Sequence, residues 1–197
     1  HPVPPYVLGV LLGDGTFRKS TLEFCSGDVE IAERVFRITG RPLNKRGKIT
    51  YSMPGHGDYV AYLRRAKLIG TSSNGKFIPQ QYLYASVEDR FELAKGLMDT
   101  DGWGGSGSAD AAAFYTTVSP RLAEGAAWLF RSLGAVVNIS IKSPEYTHKG
   151  EKRVGQDAYV LRIKHPDTAL FFTLERKRAK CAKPRSMART IVSITPT

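Results

Sequence analysis

Two apolar runs in the chain end in the same dipeptide, Asp-Gly, and each has a glycine five residues before its final aspartate. The first run spans residues 7–15 and the second spans residues 94–102. Apolar residues on nearly every side of a run predict a helix buried against another element. A glycine inside such a helix disfavours it by about 1 kcal/mol relative to alanine, and so indicates a close backbone approach. The pattern therefore predicts two helices in direct contact near Gly9 and Gly96.

Packing these helices in one register brings their terminal aspartates, Asp14 and Asp101, to the same level. Two carboxylates held side by side repel each other unless a cation lies between them. A single Asp-Gly after an apolar run is commonly a helix end followed by a turn. Two copies in one register, which divide the chain into halves of similar length, indicate an internal repeat instead.

The remaining pattern predicts the same order of elements in each half: helix, two strands, helix, two strands, helix. After the first motif helix we expect a hairpin over 16–25, a helix over 29–38, strands over 41–45 and 48–53, and a helix from Asp58. After the second we expect a strand over 111–118, a helix from Ser119 to Gly134, and strands over 136–142 and 158–165. The predicted fold class is α+β, with two αββαββα repeats in one domain.

The last two strands alternate between apolar and polar positions. One face is predicted to lie on the core and carries Val137, Ile139, Ile141, Tyr159, Leu161 and Ile163. The opposite face is basic and carries Lys142, Arg162 and Lys164. In an antiparallel sheet such a face is either simply solvated or in contact with a partner, and the net charge favours contact with a DNA groove.

The net charge of the chain predicts a polyanionic partner. Lys and Arg total 29 against 18 Asp and Glu, which gives a net charge of +11 and favours nucleic acid. The charge is clustered, with nine basic residues and one acid between Arg34 and Lys67, and seven and one between Glu175 and Arg189. The two cysteines have no zinc or redox spacing, so we expect a reducing, intracellular setting. Neither apolar run reaches the ~18 residues that a bilayer span requires.

The repeated run resembles the LAGLIDADG motif of homing endonucleases, and the two-copy arrangement is similar to the endonuclease domain of an intein. Gly96 to Gly102 lies close to the family pattern, whereas Leu12 and Gly13 replace the acid and the small residue often found in the first copy. Further resemblances to segments of the family follow in Lys76–Pro79, Leu129–Gly134 and Arg189–Pro196.

The resemblance implies a LAGLIDADG endonuclease fold with saddle-shaped antiparallel sheets, one domain over 1–197, and repeats over about 1–86 and 87–197. It implies a monomer, natively fused to intein splicing segments, that makes a staggered double-strand cut with 3′ overhangs in a long DNA duplex. The expected cofactor is Mg²⁺, as two or three ions, with Mn²⁺ as a substitute. Asp14 and Asp101 are the predicted metal ligands, helped by the backbone carbonyls of Gly13 and Thr100.

A lysine beside each scissile phosphate would polarise the attacking water or offset developing charge. Lys76 is the prediction for the first half, and Lys177, followed by Lys180, for the second. Asp99 is interpreted as helix-end structure. The predicted DNA-contacting residues are Arg18, Lys19, Lys45, Arg46, Lys48, Lys142, Arg162 and Lys164.

The alternative is a non-cleaving nucleic-acid-binding protein or an RNA maturase, against which the retention of both aspartates argues. The histidines are isolated, and motifs for serine or cysteine nucleophiles are absent from the sequence. His1 and Thr197 are not the terminal residues that protein splicing uses, so we expect an excised domain and not a complete splicing domain.

Overall fold

The computed structural model describes residues 1–17, 21–105, 111–143, 145–148 and 151–183. The first half follows the predicted order of helices and strands. Its elements are α1 (Pro5–Asp14), β1 (Gly15–Thr16), β2 (Leu22–Cys25), α2 (Val29–Thr39), β3 (Asn44–Arg46), β4 (Thr50–Met53) and α3 (Gly57–Arg65). A short 3₁₀ turn (Ser73–Gly75) and α4 (Gln80–Leu83) lead to the second half.

The second half repeats the order with one addition. Its elements are α5 (Val87–Asp101), β5 (Gly102–Trp103), β6 (Ala113–Thr117), α6 (Pro120–Ser132), β7 (Val136–Lys142), β8 (Glu145–His148), β9 (Glu151–Val154), β10 (Ala158–Lys164) and α7 (Glu175–Arg178). The added β8–β9 hairpin pairs only with itself among the described strands.

Each half contributes one four-stranded antiparallel sheet, ordered β1-β2-β4-β3 in the first and β5-β6-β10-β7 in the second. Each sheet thus begins with the short strand that follows a motif helix. A single hydrophobic core joins both halves. The predicted α+β class with two repeats is confirmed. Within the described residues, no helix is long and apolar enough to cross a bilayer.

Helices α1 and α5 pack with their backbones in direct contact, as predicted. A Cβ atom on Gly9 would lie 2.5 Å from the Leu93 carbonyl oxygen and 2.8 Å from the Gly96 Cα. A Cβ on Gly96 would lie 2.3 Å from the Tyr6 carbonyl oxygen. All three distances are below van der Waals contact, so only glycine fits at these two positions.

The glycine of each Asp-Gly pair ends its helix for a steric reason. Gly15 and Gly102 have φ angles of −86° and −87°, which any residue can adopt. Their N–H groups donate to the carbonyls of Leu11 and Met98, and an added Cβ would lie 2.3 Å and 2.5 Å from those same oxygens. The chain therefore turns tightly into β1 and β5 immediately after each aspartate.

One predicted core face is only partly covered. Val137, Leu161 and Ile163 are buried, but Ile139 and Ile141 are 38% and 60% exposed. Strand β7 forms the edge of its sheet. Alternation places its apolar residues on one side of the sheet, but no described element fully covers that side at Ile139 and Ile141.

We expect Gly9→Ala and Gly96→Ala each to lower the free energy of unfolding by about 1–3 kcal/mol or more, the usual effect of overpacking, because the new methyl group meets backbone atoms. Urea denaturation measures the change. Gly57→Ala is the matched control, since a Cβ there meets nothing within 4 Å and should leave stability unchanged or slightly raised. Equal behaviour of the three variants would contradict the close helix contact.

Candidate active site

The two motif helices end side by side, with Asp14 and Asp101 as their last residues. A Cβ on Gly13 would lie 2.0 Å from Thr100 Oγ1 and 3.1 Å from Asp101 Oδ2. The end of α1 therefore contacts the end of α5, and Gly13 leaves room for the threonine that occupies the equivalent position in the second run. Both aspartates are open to solvent.

A buried lysine is bound to the end of α1. The Lys76 ammonium donates hydrogen bonds to the backbone carbonyls of Leu11 (3.3 Å), Gly13 (2.8 Å) and Gly15 (2.9 Å). The Gly13 carbonyl is one that a helix end leaves unpaired, whereas the Leu11 carbonyl also accepts from the Gly15 N–H. The positive charge of the ammonium opposes the partial negative charge at the helix C-terminus.

Lys177 does the same at the end of α5. Its ammonium donates to the carbonyls of Met98 (2.9 Å), Asp99 (2.7 Å) and Thr100 (2.9 Å). Met98 and Thr100 are the equivalents of Leu11 and Gly13 in the repeated run. Lys180, the second choice from sequence, is exposed, so the geometry selects Lys177 as the counterpart of Lys76.

The four charged groups shift one another's titration. Crowding by protein atoms removes water from the carboxylates and raises the pKa of Asp14, and raises that of Asp101 to about 6 with help from the neighbouring Asp14 charge. Lys76 and Lys177 act in the opposite direction on both aspartates. Burial lowers the pKa of Lys76 to about 8 and also lowers that of Lys177, which is further reduced by the adjacent Arg176.

A divalent cation fits this donor set. Asp14 and Asp101 offer hard oxygen ligands. Burial raises the pKa of both because it disfavours the charged carboxylate, and a bound cation would offset that effect. Among the described residues, His, Cys, Asp and Glu side chains form no cluster of three or more. The carbonyls of Gly13 and Thr100 already accept from the lysines, although a carbonyl oxygen keeps a second lone pair.

Asp99, interpreted from sequence as helix-end structure, has a specific structural task. Its buried carboxylate accepts hydrogen bonds from the Tyr6 hydroxyl (2.9 Å), from the backbone N–H groups of Thr173 (2.9 Å) and Leu174 (3.3 Å), and from the Thr173 hydroxyl. Leu174 immediately precedes α7, so Asp99 fixes the start of the helix that carries Lys177. Sequence reasoning missed this task, because spacing cannot reveal a contact between residues so far apart in the chain.

The predicted DNA-contacting residues of the first half do not share one face. Arg46 is exposed on β3 with its guanidinium 3.6 Å from Glu23, and Lys48 is exposed in the turn that follows. Lys45 lies on the opposite face, 5.7 Å from the Tyr51 ring centroid, because neighbouring strand residues alternate in direction. Lys45 and Arg46 therefore could not both contact a duplex lying on one face of this sheet, and the candidacy of each stays a prediction. Arg18 and Lys19 lie outside the described residues, as does the segment Arg189–Pro196.

The three basic residues of the second half lie on one face of their sheet, as alternation predicted. Ladder pairing places Lys142 opposite Ala158, and Arg162 and Lys164 follow on the same side of β10. A groove lined by Asp101, Thr116, Lys142 and Arg162 crosses this face. A second cleft, lined by Gly13, Lys76, Asp101 and Thr116, adjoins it. The basic face is thus continuous with the ends of the motif helices.

In the metal-free protein we expect Asp101 to titrate near pH 6, and Asp14→Asn to lower its pKa by removing a like charge. Lys76→Met should raise the same pKa, because a compensating positive charge is lost. Carboxyl ¹³C NMR titration measures both changes, with Asp58→Asn as a distant control. An unchanged Asp101 pKa in Asp14→Asn would show that the two carboxylates do not interact.

Comparison with known proteins places the fold. No model of a protein family matches the chain. The sequence is 32% identical over 200 residues to the replicative DNA helicase DnaB of Mycobacterium intracellulare, a match that covers 98% of this chain. The chain spans only 30% of that relative.

Solved structures align with this chain at low sequence identity. Full-length DUF199/WhiA from Thermatoga maritima aligns with a TM-score of 0.52 at 9% identity, over 86% of this chain and 53% of that one. Mesophilic variants of the homing endonuclease I-DmoI align with a TM-score of 0.47 at 14% identity, over 86% and 92%. This chain shares the fold of full-length DUF199/WhiA, a protein whose N-terminal domain is a LAGLIDADG domain.

Proposed function

We propose that this protein is a site-specific DNA endonuclease that cuts both strands of a long duplex with a stagger, leaving 3′ overhangs. One observation carries the proposal: two aspartates end side by side on glycine-packed helices, and a buried lysine is bound to each helix end. A pair of equivalent acid–lysine units suits a substrate with two antiparallel strands, because each unit then serves one strand.

Asp14 and Asp101 are proposed to hold the divalent cofactor, Mg²⁺ or Mn²⁺. When bound there, the ion supplies positive charge beside the phosphate and an acidified water molecule as nucleophile. Asp101 lines a cleft beside the helix ends, and both carboxylates are exposed to solvent, so a phosphate could approach an ion held between them. Since the pKa of Asp101 is about 6, its capacity to hold a cation should fall as the pH drops through that value.

Lys76 and Lys177 are proposed to assist through their charge and position. Each ammonium already donates to three backbone carbonyls, and an ammonium has three donors. The lysines therefore offset the negative charge that develops on a phosphate without moving, a preorganised form of electrostatic stabilisation. They also favour the ionised form of both aspartates, because their charges oppose the rise in pKa that burial causes.

The DNA is proposed to lie along the sheet faces that adjoin the helix ends. The groove from Asp101 to Lys142 and Arg162 supports this path, as does the net charge of +11. Arg46 and Lys48 are the candidates in the first half. Phosphate contacts of this kind give an affinity that falls steeply with added salt.

The chain is also proposed to be a monomer and to be the endonuclease part of an intein, with repeats that meet near residue 86. Both halves of the site already lie in one polypeptide. A chain with this fold that matches 30% of a DnaB helicase fits an endonuclease inserted into a helicase gene. The proposed target is then the same coding sequence without the insertion.

Asp14→Asn and Asp101→Asn are each expected to abolish cleavage while duplex binding survives, because the amide keeps the shape but loses the charge that holds a cation. The assay uses a supercoiled plasmid carrying an uninterrupted DnaB coding sequence, with Mg²⁺ compared against Ca²⁺. Binding is measured by gel shift on the same target. Asp58→Asn is the control, since that aspartate pairs with Arg41 on an exposed surface.

If wild-type protein binds the plasmid but never cuts it, the alternative of a non-cleaving nucleic-acid-binding protein or RNA maturase replaces the endonuclease. If Asp101→Asn still linearises the plasmid at the wild-type rate, the assigned site is wrong.

Lys76→Met and Lys177→Met are expected to slow cleavage by about 10²- to 10³-fold, the usual effect of removing one preorganised electrostatic group. Lys180→Met, on the same segment but exposed, should cleave at nearly the wild-type rate. Single-turnover cleavage measures the rates, and urea denaturation shows how much of each change reflects lost stability. If Lys180→Met slowed cleavage as much as Lys177→Met, the assignment of Lys177 to the second half of the site would be wrong.

A further inference from the structure

Each lysine-bearing segment is attached to the beginning of a helix in the other repeat. The backbone carbonyl of Lys76, from the first repeat, accepts a hydrogen bond of 2.6 Å from the Ser119 hydroxyl. Ser119 is fully buried and precedes α6 in the second repeat. Its hydroxyl also accepts from the Leu122 N–H, so one side chain both caps α6 and holds the backbone of Lys76.

The second repeat is attached to the first in a corresponding way. Asp28 occupies the N-cap position of α2, yet its side chain caps no N–H group of that helix. Its carboxylate instead accepts from Arg176 through Nε (2.6 Å) and Nη2. Arg176 is the residue before Lys177. The Ser26 hydroxyl accepts from the Asp28 N–H at 3.0 Å, which fixes the backbone from which this carboxylate projects.

These attachments matter because neither lysine lies on an element that is stable alone. Helix α7 has only four residues, too few to form without tertiary contacts. Lys76 follows a single 3₁₀ turn in extended backbone. Nevertheless, both lysines are only 6% exposed and each ammonium group donates to three carbonyls, so tertiary contacts have to hold them in place.

We propose that Ser119 and Asp28 are positioning residues, each of which holds the lysine of the opposite repeat at its helix end. The consequence for catalysis rests on the proposed function: the cut of each strand then depends on a helix from the other repeat. The first link is a buried neutral hydrogen bond. The second link is a partly exposed ion pair between Asp28 and Arg176. Added salt should therefore weaken the attachment of Lys177 more than that of Lys76.

The first test needs no DNA or metal. Trace acetylation of the folded protein, read by mass spectrometry at each lysine, reports how often a buried ammonium becomes accessible. Asp28→Ala should raise the labelling rate of Lys177 by about twofold to fivefold, as expected for a partly exposed ion pair, and leave Lys76 unchanged. Ser119→Ala should raise that of Lys76 by about fivefold, the effect of one buried hydrogen bond, and leave Lys177 unchanged.

Two matched controls remove the general effects of these substitutions. Ser86→Ala deletes a serine that caps α5 by accepting from the Asp89 N–H but has no bond to a lysine segment. Asp58→Ala breaks another two-pronged Asp–Arg pair, with Arg41. Neither control should change the labelling of Lys76 or Lys177. The positioning role is overturned if Asp28→Ala or Ser119→Ala raises the labelling rates of both lysines equally. It is also overturned if neither labelling rate changes.

The second test uses a linear duplex that carries the same target, labelled at the 5′ end of one strand or of the other. Asp28→Ala should slow the cut of one strand, and Ser119→Ala the cut of the other. Equal slowing of both strands would contradict the crossed arrangement. If the lysines respond as expected to labelling but wild-type protein cuts no DNA, the endonuclease proposal fails while the positioning role stands.

Discussion

The contact between the backbones of α1 and α5 is the constraint on which the rest of the structure depends. Gly9 and Gly96 leave no space for a side chain between the helices, so the register of one helix against the other is fixed sterically. Because each aspartate follows its glycine at the same spacing, this register determines that Asp14 and Asp101 end at one level. The tight turns at Gly15 and Gly102 then direct β1 and β5 into the two sheets.

Bringing two carboxylates together creates an electrostatic problem that the two lysines reduce. Each lysine is buried against carbonyl oxygens, an arrangement that stabilises the ammonium where burial alone would disfavour it. The charges of the lysines in turn limit the rise in the pKa of both aspartates that burial causes. At each helix end an exposed carboxylate thus lies near a buried ammonium group.

The two halves reach the same geometry with different side chains. In the second half the carboxylate of Asp99 fixes the segment before α7, whereas the equivalent position in the first half is Leu12, which is buried in the core. Thr100 fills space that Gly13 leaves empty. Two repeats in one chain are free to diverge in this way, because each position has to satisfy only its own surroundings.

Much of this architecture was predictable from sequence. Apolar periodicity and the repeated Asp-Gly run gave the order of elements, the α+β class and the contact at Gly9 and Gly96, since these follow from local pattern and steric size. The shared face of Lys142, Arg162 and Lys164 followed from strand alternation. Alternation also separates Lys45 from Arg46, because neighbouring strand positions point in opposite directions.

Only the tertiary structure decided which lysine binds the end of α5, what Asp99 binds, and which contacts join the two repeats. Lys177 and Lys180 are indistinguishable by composition, and burial against the carbonyls of α5 separates them. The bonds from Ser119 to Lys76 and from Arg176 to Asp28 join residues 43 and 148 positions apart. The sequence by itself determined the pattern of each segment, because that pattern depends on near neighbours. Contacts between distant segments depend on how the segments pack, which only the folded chain specifies.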